Sequence, residues 1–282
     1  MSDVCAVVLA AGEGRRLRPL TERTPKALCP VGNVPLLELA LARVAALGPG
    51  LSGPDRVAVN AWYLADQVVD AVGDRAHLSV ESGPRPLGTA GGLGALRDWI
   101  DGRPVLVANV DAYLTGGDLA PLLDGWDGDG TRMLVVPGPP AEFTGTRFAG
   151  CSALPWRRVR ELSAEPDDLV RTVWRPAEAA GELTLVDYGG RYLDTGTPGS
   201  YLAANLDAAA AAPDGRLVAP GATVSGRVER SVVGAGATVE GSVERCVVWP
   251  GGHVGPGEHL VGAIRMGATG TVWASPDEGA PE

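Results

Sequence analysis

The residues best suited to chemistry crowd into the first thirty positions. In "LAAGEGRRLRPLTERTPKALCPV", Gly12 and Gly14 follow a pair of alanines. A missing Cβ there lets the backbone approach a ligand closely and turn its N–H groups toward phosphate oxygens. Arg16 comes next, able to fork onto phosphate through several donors. Ten residues later stands Lys26, the only lysine of the chain; every other member of its 24 Lys plus Arg is arginine. A cation that merely solvated a loop would be arginine here as everywhere else, and the two side chains are not interchangeable at a tight site. Arg15, Arg16, Arg18, Arg23 and Lys26 all fall within twelve residues, on a chain of formal net charge −10. A local cation cluster on an acidic protein suits a short phosphate chain, while the overall charge argues against a nucleic-acid binder.

These residues need a scaffold that presents loops at one edge. "VCAVVL" (4–9), "RVAVNA" (56–61), "HLSVES" (77–82), "RPVLVANVD" (103–111) and "TRMLVVP" (131–137) are short apolar runs, expected to be strands. Between them "PLLELALARVAAL" (35–47), "LADQVVDAV" and "GGLGALRDWI" have helical spacing. The alternation predicts an α/β fold with a Rossmann-like, doubly wound and mostly parallel sheet. In such sheets ligands sit at the carboxyl ends of the strands, where "AAGEGRR", "ESGPRPLGTAGG" and "NVDAY" all fall. After the helix-forming "TPGSYLAANLDAAAAA" a fifteen-residue repeat begins, with Val218, Val233 and Val248, then Gly221, Gly236 and Gly251, then Val224, Val239 and Val254 in step. This is a β-solenoid pattern of about three rungs. The expected division is residues 1–212 for a first domain, 215–272 for the repeat and 273–282 for a disordered tail.

An apolar fraction of 45 % over 282 residues supports a globular core, and no apolar run is long enough to span a membrane. The N-terminus lacks a basic leader, and Cys5, Cys29, Cys151 and Cys246 have no CxxC spacing, which points to reduced core thiols and a cytoplasmic location. His77, His253 and His259 stand apart from one another and suggest no shared site.

"LAAGEGRRLRPLTERTPKALCPVGNVPLL" resembles the opening motif of the sugar-1-phosphate nucleotidyltransferases, the nucleotide-sugar pyrophosphorylases, over nearly thirty residues in order. "LGTAGGL" (87–93) is similar to the family's second nucleotide-binding loop. "VLVANVDAY" (105–113) and "YLDTGTPGSYLAAN" (192–205) are similar to its two metal-bearing segments, and the valine–glycine repeat to the left-handed β-helix of many members. The resemblance implies transfer of a nucleotidyl group from a nucleoside triphosphate to a sugar 1-phosphate, with pyrophosphate leaving and no covalent intermediate. It implies roles as well. Arg16 would bind the triphosphate, and Lys26 would bridge the α-phosphate and the incoming sugar phosphate. Asp111 and Asp194 would hold Mg²⁺. Leu9, Ala10, Ala11, Gly12, Glu13 and Gly14 would line base and phosphates, with Glu81, Gly88 and Thr89 near base and ribose. Asn109, Arg147 and Gly150 would meet the acceptor. Asp194 has a plainer reading as the cap of the helix beginning near Pro198.

The chain departs from the pattern in its acceptor half. Val110 replaces a glycine before the first aspartate, Phe148 replaces an asparagine, and the family's sugar-binding Glu-Lys pair is missing, since Lys26 has no second lysine beside it. The expected acceptor is therefore a modified, deoxy or bulky sugar 1-phosphate, or a cyclitol phosphate. Glu81, an acceptor-only carboxylate where relatives carry glutamine, suits the guanine edge and slightly favours GTP over UTP or dTTP. Two readings compete: a non-catalytic nucleotide-sugar-binding subunit, and an acyltransferase built on the repeat. Three short rungs fit oligomerisation better than a coenzyme groove, so a homo-oligomer formed through the repeat is expected, with neither nucleic acid nor membrane as partner.

Overall fold

The computed structural model describes residues 3–48, 50–139 and 142–274. It resolves into two compact units that interleave along the chain: one runs up to Glu13 and takes Thr24–Ala27 and Leu37–Tyr192, the other takes Gly14–Arg23, Leu28–Leu36 and everything from Leu193 onward. Residues 193–212, expected with the first domain, thus group with the repeat.

The first unit is built on a seven-stranded sheet. Its strands are β1 (Cys5–Leu9), β2 (Val57–Ala61), β3 (His77–Val80), β4 (Val105–Asn109), β6 (Thr131–Pro137), β7 (Thr146–Leu154) and β8 (Leu183–Asp187), while β5 (Ala112–Thr115) leaves the sheet straight after β4. The spatial order is β8-β6-β7-β4-β1-β2-β3. Cys5 to Val8 and Val105 to Ala108 are fully buried, which explains why β1 and β4 read as unbroken apolar runs rather than alternating ones. The two pair in parallel, from Cys5 opposite Val105 to Leu9 opposite Asn109. β1 also pairs with β2, so the winding reverses between β4 and β1, and the crevice at their carboxyl ends is the switch point where ligands bind in such sheets.

One strand runs the other way: β7 is antiparallel to both β4 and β6. Its pairing with β6 slips between Met133 and Val135, the mark of a β-bulge. Gly150 lies in that bulge at φ +81, and a Cβ there would stand 2.3 Å from the Ala112 Cβ, so only glycine fits. Helices α1 (Leu36–Leu47), α2 (Ala65–Val72) and α3 (Gly88–Ala95) lie among the strands. The core collects Val7, Leu93, Val107, Met133, Val173 and Trp174.

In the second unit α4 (Pro198–Ala210) begins with a capping box, in which Thr197 accepts from the Ser200 N–H and the Ser200 hydroxyl accepts from the Thr197 N–H. Its Asn205 Oδ1 accepts from the Gly32 N–H at 3.0 Å, and its Tyr201 hydroxyl donates to the Pro30 carbonyl, fastening the turn between Pro30 and Asn33. The repeat then forms three parallel ladders. Val218, Val233 and Val248 pair in sequence, as do Val224, Val239 and Val254, with Gly221, Gly236 and Gly251 turning the corners at φ +78, +66 and +67. The third ladder joins Arg227–Glu229, Ser242–Glu244 and His259–Val261. An antiparallel strand, Gly270–Trp273, closes the unit, so Trp273 is ordered strand rather than tail; residues 275–282 of the expected tail lie outside the described residues. All four cysteines are buried, and none is in a disulfide. Among the described residues no helix is long and apolar enough to cross a membrane.

Candidate active site

The expected cations each lie against an expected metal aspartate, one pair in each unit. In the first, Lys26 opens a short 3₁₀ turn, is only 7 % exposed, and sets its Nζ 2.6 Å from Asp111 Oδ2. Asp111 follows β4 by two residues, which brings it to the carboxyl edge of the sheet, with its side chain one-third exposed. Val110 is buried there and donates its N–H to the Leu9 carbonyl, extending the parallel pairing of β1 and β4 past Asn109.

In the second unit Arg16 lies in the 3₁₀ turn Arg15–Leu17, and its Nη2 approaches Asp194 Oδ2 to 3.6 Å. A Cβ at Gly196 would come within 2.8 Å of that Nη2 and 3.0 Å of Asp194 Oδ1, so the glycine of "DTGTP" makes room for the pair. The plainer reading of Asp194 is removed, because the helix cap is Thr197. Gly14, at φ +66, starts the Arg16 turn, and its carbonyl accepts from the Thr21 hydroxyl at 2.8 Å.

The loop after β1 is held from the side. Ala10 donates its N–H to Asn60 Oδ1 at 2.7 Å, and Asn60 Nδ2 in turn donates to Glu81 Oε1 at 2.8 Å. The other oxygen of Glu81 accepts from the Leu87 N–H, also at 2.8 Å. Asn60 and Glu81 are both buried, at 2 % and 8 % exposure. Burial pushes the Glu81 carboxyl above the ordinary glutamate value, and the two hydrogen bonds only partly offset this. A Cβ at Gly92 would stand 2.7 Å from Asn60 Nδ2, so that glycine protects the network. Both Glu81 oxygens thus accept a hydrogen bond that ties one loop to another, and each retains a further lone pair. Asn60 escaped the sequence reading; a buried amide at the end of an otherwise apolar strand was the available signal.

"LGTAGGLG" is likewise tied to a distant segment. Gly88, Gly91 and Gly94 recur every third residue along α3, and a Cβ on them would lie 2.4, 2.2 and 2.1 Å from the carbonyl oxygens of Asp167, Glu165 and Ser163. The Thr89 hydroxyl accepts from the Leu169 N–H at 2.9 Å, and the Ala90 N–H donates to the Asp167 carbonyl. This face of Gly88 and Thr89 therefore packs on the 163–169 segment. Gly12 is the opposite case. It has no left-handed φ, and a Cβ there would meet nothing within 4 Å.

The acceptor candidates fall at the same sheet edge. Asn109 ends β4 beside Leu9, and a Cβ on Gly150 would lie 3.9 Å from the Asn109 Cβ. Arg147 stacks its guanidinium 4.9 Å over the Tyr192 ring and reaches the Tyr192 carbonyl at 3.4 Å. Phe148 turns into the core against Trp174, with ring centroids 4.5 Å apart, so it fills space where the family's asparagine is polar.

A chain with this sheet, and with a cation on an aspartate at its switch point, belongs to a nucleotide-handling class. The family follows directly: residues 6–191 match the MobA-like NTP transferase domain, and the chain belongs to that family. It is 30 % identical over 204 residues to the N-acetylmuramate alpha-1-phosphate uridylyltransferase of Caulobacter vibrioides, covering 67 % of this chain and 74 % of that protein. It is 35 % identical over 148 residues to the mannose-1-phosphate guanylyltransferase of Mycobacterium tuberculosis, covering 50 % of this chain but only 40 % of that protein, so it spans less than half of that relative's length. A Bacillus anthracis structure assigned as a glucose-1-phosphate thymidylyltransferase, in complex with a sucrose, superposes with a TM-score of 0.58 at 19 % identity, over 73 % of this chain and 95 % of that one. That last likeness bears on the fold alone.

Proposed function

We propose that this protein transfers a nucleotidyl group from a nucleoside triphosphate to a sugar 1-phosphate, with pyrophosphate as leaving group. The observation that carries the reading is the Lys26–Asp111 pair, a sealed ammonium 2.6 Å from a carboxylate at the carboxyl edge of β4. The sugar phosphate oxygen attacks the α-phosphorus in line, so the protein's work is positioning and neutralising charge. Lys26 neutralises the crowded α-phosphate as its compact ammonium is drawn from Asp111. Arg16 holds the departing pyrophosphate. The open space at Gly12 supports backbone approach to the phosphates. Asp111 and Asp194, with side chains 33 % and 41 % exposed, offer the hard carboxylate oxygens that would hold Mg²⁺. When bound, such an ion supplies further neutralisation of phosphate charge.

The base we propose is uracil rather than guanine. The case for GTP rested on Glu81, whose two oxygens each already accept one hydrogen bond, from Asn60 and from Leu87, which weakens that case. The relative that matches two-thirds of this chain is named a uridylyltransferase. The acceptor we propose is a sugar 1-phosphate with a bulky or acidic substituent. The absence of a second lysine, Phe148 packed on Trp174, and the N-acetylmuramate of the Caulobacter relative's name all support it. Oligomerisation through the repeat unit remains part of the proposal, with Trp273 63 % exposed on its closing strand. Pyrophosphate release measured over a grid of nucleotides and sugar 1-phosphates tests the whole reading. We expect turnover with UTP and a substituted acceptor; robust turnover only with glucose or mannose 1-phosphate would overturn the acceptor, and preference for GTP would overturn the base.

A further inference from the structure

Arg43 lies in α1 and is 8 % exposed, and among the described residues it forms no salt bridge. Its Nη2 donates to the Ala112 carbonyl, while Nη1 is buried without a hydrogen-bond partner. Arg43 forms part of the wall of a cavity of about 320 Å³, together with Leu39, Tyr113, Thr115, Gly117 and Tyr188, and the lining contains no carboxylate. Burial pushes up the Cys151 thiol, against the lowering effect of Arg43 beside it and hydrogen-bonded to it, and burial likewise pushes up the Tyr188 phenol. The Tyr188 phenol, with the Gly117 backbone beside it, carries a hydroxyl able to donate. A cation removed from water without a partner is costly, and an anion brought beside it relieves that cost. The volume is at the small end of ligand sites, of order 300 Å³, enough for a sugar-sized molecule.

We propose that this cavity is a binding site for a small molecule bearing a carboxylate, with Arg43 as counter-ion and Tyr188 as a hydroxyl donor. The carboxylate has two possible sources, an acidic substituent on the acceptor or a separate small acid. The second needs no catalysis, while the first rests on the function proposed above.

Calorimetric titration of the full chain separates these. The probes are N-acetylmuramate, its uncharged parent N-acetylglucosamine, and sodium lactate, at matched ionic strength. N-acetylmuramate or lactate is expected to bind, with N-acetylglucosamine roughly tenfold weaker or worse, and Arg43→Met is expected to abolish the difference while raising the melting temperature of the unliganded protein. Should Arg43→Met not fold, Tyr188→Phe and the wild-type probe comparison still decide. If Arg43→Met raises KM for N-acetylmuramate 1-phosphate about tenfold and leaves N-acetylglucosamine 1-phosphate unchanged, the acceptor is the source; lactate binding with no such KM split assigns a separate acid. Equal binding of charged and uncharged probes, or charge-selective binding that survives Arg43→Met, overturns the site. Because binding is read without turnover, an inactive protein that still discriminates the probes would refute the proposed function and leave the site standing.

Discussion

Lys26 Nζ lies 2.6 Å from Asp111 Oδ2, across 85 residues of chain, so the sole lysine and the aspartate of "NVDAY" form one charged unit at the edge of the sheet. An ammonium that is 7 % exposed and already in contact with a carboxylate cannot be exchanged for a guanidinium without displacing something. Lys26→Arg is expected to lower turnover roughly tenfold or more, about 1.4 kcal/mol in the barrier, with little change in nucleotide affinity. Steady-state kinetics with pyrophosphate detection checks this, and unchanged turnover would remove Lys26 from the reaction centre.

Glu81→Gln tests the anchoring network. A glutamine keeps one acceptor for Asn60 or Leu87 but turns an N–H₂ toward the other, so the variant is expected to lose about 1–2 kcal/mol of stability at neutral pH. The pH dependence has a definite sign. Because burial raises the Glu81 pKa, the folded state holds the proton more tightly than the unfolded chain. Its contribution is greatest below the ordinary glutamate value and is lost as pH rises through the folded value. Urea melts of the two proteins across this range should show the wild type's advantage shrinking with rising pH. Base preference should not move.

Gly94→Ala reverses a general rule. In an exposed helix interior the change stabilises by about 1 kcal/mol. Here the new Cβ would stand 2.1 Å from the Ser163 carbonyl oxygen, so α3 and the 163–169 segment must separate. A loss of about 1–3 kcal/mol is expected from overpacking, read from the denaturation midpoint. A stabilised variant would show that the close approach is not real.

Thr197→Ala removes the hydroxyl that accepts from Ser200 and breaks the capping box of α4. The expected cost is about 1 kcal/mol. Circular dichroism through a thermal melt measures it. Activity at saturating substrate should survive at temperatures where the variant is folded, because Asp194 is not the cap.

The sheet was legible because β1, β2, β4 and β6 are buried on both faces and read as continuous apolar runs. The repeat was equally plain: glycines fifteen residues apart take the same left-handed turn, and the valines between them stack in register. The reversal of β7 was not visible, since an apolar run carries no sign of its direction and the bulge at Gly150 appears only once Ala112 is beside it. The types of the candidate residues were also evident from the chain alone: one lysine among arginines, an aspartate just after the apolar run "VLVAN", and another in "YLDTG". What their neighbours would be was not. Glu81 looked like a carboxylate free to read a base, and Gly88 and Thr89 like a nucleotide loop, because local sequence records which groups a residue can offer but not which partners arrive from twenty or eighty positions away. Asn60 and the 163–169 segment arrive from that distance, and Leu87 from six positions on. Composition and spacing determined the sheet, the repeat and the chemical groups on offer, and the motif resemblance pointed to the family; only the tertiary structure decided which of those groups are engaged in holding the fold, because a hydrogen bond is settled by proximity in space and not by order along the chain.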